Sequence, residues 1–267
     1  MSFEGKTVLV VGAEFAIGTL AAEYFGKEKA KLALVSSNSQ NKFDNVLENI
    51  EESGVKTDVF VIIGDVTKDS KCIIDKTIDK FGRLDILFIS ASFIRPASIE
   101  NFNIRDFDAM MTQNVRSSFE LTHFAVPHLI ESKGNIIIDS STALGLIPVE
   151  NWIFCCISKA ALQQFTKCAA IELKDHGVRM NCISAQNIDV DFHSFIDIDR
   201  DKEEVDYENF LEQNDIKGPM NERNGQKIDC VSAIAFLAND NETFFITGLV
   251  VPVYSNADCG AISAKIL

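Results

Sequence analysis

Short apolar runs alternate with amphipathic stretches of helix length, and no other feature limits the fold of this chain so strongly. Lys6–Gly12 (KTVLVVG), Lys31–Ser36 (KLALVS), Asp58–Gly64 (DVFVIIG), Asp85–Ile89 (DILFI), Gly134–Ile138 (GNIII), Val178–Ser184 and Phe245–Pro252 read as strands. Most lack the alternating polar positions of a half-exposed strand, so they read as buried on both faces. Helical patterns fill the gaps. One follows Gly12 to about Lys29. Asn41–Ser53 carries Phe43, Val46, Leu47 and Ile50 at helical spacing. Others cover Asp69–Phe81, about Asn103–Ile130 with an interruption near Pro127, Asn151 to about Lys174, and Ile228–Ala238. Strands separated by helices of roughly ten residues or more build βαβ units and a parallel sheet. Right-handed crossovers then give a doubly wound sheet, with ligands at the carboxyl ends of its strands. No repeat, low-complexity segment or linker divides the chain. Residues 1–267 are therefore expected to form one α/β domain of about seven strands with helices on both faces, a length that one core can serve.

Charge and cysteine usage narrow the function. The net charge of −14 argues against nucleic acid or an anionic membrane as partner, because both need basic patches. Apolar runs such as Val8–Val11 and Val59–Ile63 are too short to span a bilayer. MSFEGKTVLVVGA enters a strand without a basic segment and an apolar segment before it, so no secretory signal is expected. The seven cysteines are scattered, with no CxxC spacing for zinc. They read as reduced thiols of a cytoplasmic protein.

Two stretches carry candidate chemistry. Gly12, Ala16 and Gly18 follow the first strand and open the first helix, where a dinucleotide's pyrophosphate meets helix N-terminal amides. Asn151–Leu162 (NWIFCCISKAAL) sets Lys159 four residues after Cys155. On a helix both point the same way. The pair reads either as a catalytic lysine beside a titratable group or as a surface lysine beside a packing cysteine.

Taken in order, these motifs resemble the short-chain dehydrogenases/reductases, nearly end to end, in a single Rossmann-type domain. G-x3-A-x-G is similar to the family's T-G-x3-G-x-G turn. Asp65-Val66 resembles the adenine-binding pair after the third strand, and Gly82–Leu87 the lead into the fourth. Asn114 falls at the helical asparagine and Ser140-Ser141 at the active-site serine. Ser158-Lys159-Ala160-Ala161 matches the end of Y-x-x-x-K. Arg179-Met180-Asn181 and Ile246-Thr247-Gly248 match R-V-N and I-T-G. The wording is closest to animal, arthropod-like members that resemble bacterial ketoacyl reductases. The resemblance implies a catalytic set of Asn114, Ser141, Cys155 (at the tyrosine position) and Lys159. In the family the tyrosine transfers the proton, the lysine lowers its pKa and holds the nicotinamide ribose, the serine orients the carbonyl and the asparagine supports a water relay. The implied cofactor-binding positions are Gly12, Glu14, Ala16, Ile17, Gly18, Ser36, Ser37, Asp65, Val66, Ala91, Lys159 and Ile188. No metal site is expected. The cofactor would be NAD or NADP, with NAD preferred, or none if the fold is repurposed.

The pattern breaks at the chemistry. A thiol beside Lys⁺ has suitable acidity, but cysteine falls several ångströms short of tyrosine's reach, and a general acid must come within ~3 Å of its target or act through one water. Tyr24, Tyr207 and Tyr254 lie outside the motif. Val11 replaces a threonine, and Ala16 adds a methyl where backbone approaches pyrophosphate. Glu14 sets negative charge beside a phosphate site and would repel a 2′-phosphate. Ile89-Ser90-Ala91-Ser92 stands for N-N-A-G, Ala185-Gln186 for P-G, and Val190 for a threonine. Ser36 and Ser37 end the second strand without the aspartate of an NAD site or the arginine of an NADP site. Ser141 lies fourteen residues before Cys155 and Thr142 thirteen; Ser141 is preferred because it continues the strand-to-loop match.

Residues 189–217 form the expected substrate-covering segment. Asp189–Asp215 holds eleven acidic residues against Arg200 and Lys202. It reads either as a solvated face or as a screen against anionic ligands, including coenzyme A and acyl-carrier thioesters. Asp197, Asp199, Asp201 and Glu208 partly match a calcium loop, but Lys202 stands where the turn needs glycine. His123, His128, His176 and His193 show no metal spacing, and Trp152 and Phe154 read as pocket lining or core. Two functions follow: an oxidoreductase on a small carbonyl or alcohol with altered or impaired chemistry, or an inactive, repurposed binding or partner subunit. Association as a homodimer or homotetramer is expected through the helices around Asn103–Ile130 and Asn151–Lys174.

Overall fold

The computed structural model describes residues 2–37, 43–141, 150–185 and 226–253. Its seven strands are β1 (Thr7–Val11), β2 (Lys31–Ser36), β3 (Val59–Ile63), β4 (Ile86–Ile89), β5 (Asn135–Ser141), β6 (Arg179–Ala185) and β7 (Val250–Val253). They make one sheet in the order β3-β2-β1-β4-β5-β6-β7. Every pairing is parallel. The helices are α1 (Ala16–Lys27), α2 (Asp44–Glu52), α3 (Ser70–Phe81), α4 (Ile104–Met110), α5 (Ser117–Ser132), α6 (Ile153–Leu173), α7 (Lys227–Ala238) and the short α8 (Asp240–Thr243). This is the doubly wound Rossmann-type sheet that the alternation implies.

The strands are apolar throughout because both faces are covered. Val8 and Val10 of β1, with Leu32 and Leu34 of β2, pack with Ala21 and Phe25 of α1, Val46 and Ile50 of α2, and Ile234 of α7. Leu9 and Val11, one residue out of phase, pack with Ile73 of α3, Leu121 of α5 and Leu162 of α6. Successive strand side chains point to opposite faces, so a continuous apolar run feeds two cores at once. The strand order reverses between β1 and β4, and that switch point opens the crevice at the carboxyl ends.

Three boundaries depart from the sequence reading. β5 does not stop at Ile138: Asp139, Ser140 and Ser141 pair with Ile183, Ser184 and Ala185 of β6. Polar side chains do not end a strand whose backbone still has a partner. The last strand begins at Val250 rather than Phe245, because Gly248 at φ +77° turns the chain first. Pro127 does not interrupt α5, whose buried Leu121, Ala125 and Leu129 hold it to the sheet; packing offsets the hydrogen bond lost at proline. The irregularity lies earlier, in the π-helical Met111–Arg116 between α4 and α5. Among the described residues no helix is long and apolar enough to cross a membrane.

Candidate active site

The inner face of α6 carries Cys155, Ser158, Lys159, Leu162, Gln163 and Thr166, all buried. Their helical spacing lays them along one stripe against β5 and β6. Lys159 is only 6% exposed, so the surface-lysine reading fails. Its ammonium makes no hydrogen bond or ion pair with any described residue. Burial pulls its pKa down, opposed chiefly by the Asp139 carboxylate and more weakly by Cys155 and Cys182.

Cys155 is 1% exposed, and its thiol points at the Arg95 carbonyl, with Sγ 3.6 Å from that oxygen. Burial pushes the thiol up to about 12, and the Arg95 hydrogen bond and Lys159 charge lower it by less. This corrects the acidity that an adjacent ammonium suggests: in a dry site, desolvation outweighs one unpaired charge. Trp152 and Phe154 join Cys155, Ile94, Ala97 and Met110 in a small apolar cluster, so they serve as core.

Asn114 lies in the π-helical turn, a kind of irregularity common at functional sites. Its Oδ1 accepts from the Phe93 amide at 2.7 Å, and its Nδ2 donates to the Phe93 carbonyl at 2.9 Å and to Ser158 Oγ at 3.1 Å. The hydroxyl of Ser158 in turn donates to the Cys155 carbonyl at 2.9 Å. Asn114 thus ties the segment after β4 to the first turns of α6. Ser140 is committed to the same helix, its Oγ accepting from Gln163 Nε2 at 3.2 Å. Ser141 closes β5 opposite Ala185, beside this group along the chain.

Across the switch point, Gly12 takes φ +84°, and a Cβ there would meet the Ala91 amide nitrogen at 2.5 Å. A Cβ on Gly18 would meet the Gly12 carbonyl oxygen at 2.1 Å. Both glycines let the turn lie flat against β4 and the first helical turn. The N-cap residue of α1, Phe15, offers no side-chain cap, and the first turn carries no acid. Ile17 is buried in the core. Glu14 reaches the end of β2 instead of the helix start: its carboxylate accepts from Ser36 Oγ at 2.9 Å and Ser37 Oγ at 3.4 Å. Asp65 closes its own loop, accepting from the Thr67 amide at 2.9 Å and from Lys68 Nζ at 2.8 Å; the Lys68 hydrogen bond is the main reason its pKa is lowered. Val66 is buried, and Ala91 packs partly buried over the glycine turn.

A carboxylate absent from the sequence reading lies behind this group, on the α7 face of β5 in phase with Ile137. Asp139, on β5, accepts from Ser90 Oγ at 2.8 Å. Burial raises its carboxyl to about 6, against lowering by Lys159 and then by the Ser90 hydrogen bond. A signal was present: one carboxylate directly after the apolar run Ile136–Ile138, two residues before Ser141. The Ser92 hydroxyl, two residues after Ser90, is buried without a partner among the described residues. Among the described residues the Lys159 ammonium and the Ser92 hydroxyl are thus left unused by the fold, and groups of this kind suit the hydroxyl-rich body of a dinucleotide. Ile188, Thr142, Val190, His193, Tyr207, Tyr254, the acidic segment and the candidate calcium loop lie outside the described residues, as do the side chains of Ala16 and Ser141. Among the described residues no group of three or more His, Cys, Asp or Glu is placed to hold a metal.

Comparison with known proteins agrees with this geometry. A family model described as enoyl-(acyl carrier protein) reductase matches residues 12–255. An uncharacterised oxidoreductase of Thermotoga maritima is 33% identical over 253 residues, 95% of this chain and 97% of that protein. A Caenorhabditis elegans short-chain dehydrogenase/reductase solved with cofactor superposes with TM-score 0.83 at 26% identity, over 94% of both chains. A xylitol dehydrogenase with bound NAD+ superposes with TM-score 0.83 at 25% identity, over 96% of this chain and 100% of that one.

Proposed function

The chain belongs to the short-chain dehydrogenase/reductase family of oxidoreductases, and from that membership we propose that it acts with a nicotinamide dinucleotide on a small carbonyl or alcohol, by chemistry altered at Cys155. The observation that carries the reading is Lys159: an ammonium buried on the inner face of α6 that makes no hydrogen bond or ion pair with any described residue. Retaining such a charge costs stability unless a ligand uses it. The curated names of the relatives favour an oxidoreductase over an inactive partner subunit.

A bound nicotinamide cofactor would supply or accept the hydride. Lys159 holds its ribose hydroxyls, and the start of α1 after Gly12 receives the pyrophosphate. Glu14, fixed by Ser36 and Ser37, accepts from the adenosine diol and repels a 2′-phosphate, which supports NAD over NADP. Ser141 orients the substrate oxygen, and Asn114 fixes the start of α6 from which Lys159 projects. The Cys155 thiol, held up to about 12, stays protonated and plays no acid–base part near neutral pH. The net charge of −14 supports a neutral substrate over a thioester on an anionic carrier. Calorimetric titration of NADH and NADPH tests the reading. NADH should bind the wild type and bind Lys159→Met at least tenfold more weakly; no binding to the wild type at millimolar cofactor would overturn it.

We also propose self-association through the outer faces of α5 and α6, where Phe119 and Ile171 are exposed. Phe119 stacks at a tilt on Phe165, with ring centroids 5.5 Å apart, extending one apolar surface across both helices. A single monomeric species in sedimentation would refute this.

A further inference from the structure

Asp139 sets a carboxylate near the carboxyl edge of the sheet and has no part in the function proposed above. It pairs with Ile183 of β6 near the end of β5. Its side chain lies in phase with Ile137, on the face of the sheet that packs against α1 and α7. The carboxylate accepts from Ser90 Oγ at 2.8 Å. Ser90 follows β4 directly, and its amide donates to the Val11 carbonyl at 2.8 Å. Ser90 also backs onto the glycine turn: a Cβ on Gly12 would lie 2.7 Å from its carbonyl carbon. One chain of contacts thus runs from the glycine turn through Ser90 to the Asp139 carboxylate, on the face that carries α1. Asp139 is partly exposed.

This places the carboxylate to one side of the pyrophosphate position. A dinucleotide leaves its pyrophosphate in two directions. Glu14, with Ser36 and Ser37 at the end of β2, takes the adenosine half. In the sheet order β2 and β4 flank β1 on opposite sides, so the nicotinamide half extends the other way, across the ends of β4 and β5. Asp139 stands near the end of β5, tied to the residue that follows β4. The nicotinamide ring is a cation when oxidised and neutral when reduced, and the two forms differ in charge nowhere else.

We propose that Asp139 selects the redox state of the cofactor, its carboxylate favouring the cationic oxidised nicotinamide over the neutral reduced form; this rests on the dinucleotide reading above. In a crevice close to the protein surface, attraction between unlike charges is about fourfold stronger than in water. Repulsion between Asp139 and the pyrophosphate is common to both forms and cancels from their ratio. A protein at rest then holds the form that accepts a hydride, and the substrate suited to that state is an alcohol. The titratable groups around Asp139 are Cys230 of α7 on the same face and Asp229 beside it, whose carboxylate accepts from the Gln226 amide at 2.8 Å. Lys159 of α6 and Cys182 of β6 lie on the opposite face. Burial raises both thiols, so they are neutral at pH 8, whereas the Asp139 carboxyl, raised by burial to about 6, is ionised there.

The test is calorimetric titration of NAD+ and NADH into wild type and Asp139→Asn at pH 8, read as the ratio of the two dissociation constants. Asparagine keeps an acceptor for Ser90 Oγ and removes the charge, and the contribution of Lys159 is common to both proteins. The wild type should favour NAD+ over NADH about tenfold more than the variant does, about 1.4 kcal/mol. An equal ratio in both proteins overturns the proposal, even where both constants move together, since that pattern marks repacking or repulsion of the pyrophosphate. If Asp139→Asn does not fold, the wild type alone decides. Its preference for NAD+ should narrow by about threefold at pH 5.5, where most Asp139 carboxyls are protonated, and a preference unchanged from pH 8 overturns the proposal. Absence of binding of either cofactor to the wild type refutes instead the function on which the proposal rests.

Discussion

Replacing Asp139 by asparagine should make the protein more stable, and only at the higher end of the pH range. The carboxyl rises from 3.8 to about 6 in the fold, chiefly by desolvation. A group whose folded pKa is raised contributes its full stability below the unfolded pKa and loses it as pH rises through the folded one. At pH 4 wild type and variant should therefore differ little. At pH 8 the folded wild type holds an anion that it accommodates poorly. The gap from 3.8 to about 6, at about 1.36 kcal/mol per pH unit, amounts to about 3 kcal/mol. The residue's partial exposure trims this to about 1–3 kcal/mol. Asparagine keeps an acceptor for Ser90 Oγ and carries no charge, so it takes the place of the protonated acid. Urea unfolding of both proteins at pH 4.5, 6 and 8 measures the difference. Asp139→Asn should gain on the wild type steadily across that series, with equal slopes. A variant less stable at pH 8, or a difference that ignores pH, would refute the desolvated-carboxylate account.

Three further predictions concern the turn, the thiol and the ribose end. Gly18→Ala puts a methyl 2.1 Å from the Gly12 carbonyl oxygen, a backbone atom with little room to yield. It should cost about 1–3 kcal/mol or more in urea unfolding, and a neutral effect would contradict the close packing of the turn. Iodoacetamide at pH 8 should modify exposed Cys72 and Cys168 while leaving Cys155 intact in peptide mass analysis; equal labelling would mean that Cys155 is not buried. Glu14→Gln should narrow any preference for NADH over NADPH by about tenfold, about 1.4 kcal/mol, as removal of one charge from a diol acceptor implies. An unchanged ratio would remove Glu14 from that role.

The sheet was legible because its physics is repetitive. Runs such as Val8–Val11 and Ile136–Ile138 are apolar at every position, which only a strand covered on both faces requires. Gly12 and Gly18 were legible because the turn excludes a Cβ at both positions. What escaped depends on contacts between distant residues. Asp139 follows an apolar run and reads as the first solvated residue after a strand. Pairing with Ile183, forty-four residues later, keeps it in the sheet. The turn around Asn114 is set by bonds to the Phe93 backbone twenty-one residues away, which no local pattern records. For Cys155 the sequence shows the neighbouring lysine, but not the apolar cluster that reverses the expected acidity. Glu14 was read for its charge beside the phosphate turn, and its direction toward Ser36 and Ser37 emerges only when β2 lies next to β1.

The central claim is that Lys159 and the glycine turn still form a dinucleotide site, and thermal unfolding with and without NADH tests it most directly. A ligand at a hundredfold excess over its dissociation constant stabilises by about 2.7 kcal/mol. For a chain of this size that corresponds to a rise in Tm of roughly 5–10 °C. Such a rise at millimolar NADH, much reduced in Lys159→Met, is the result the account predicts. A wild-type Tm that does not move would contradict it.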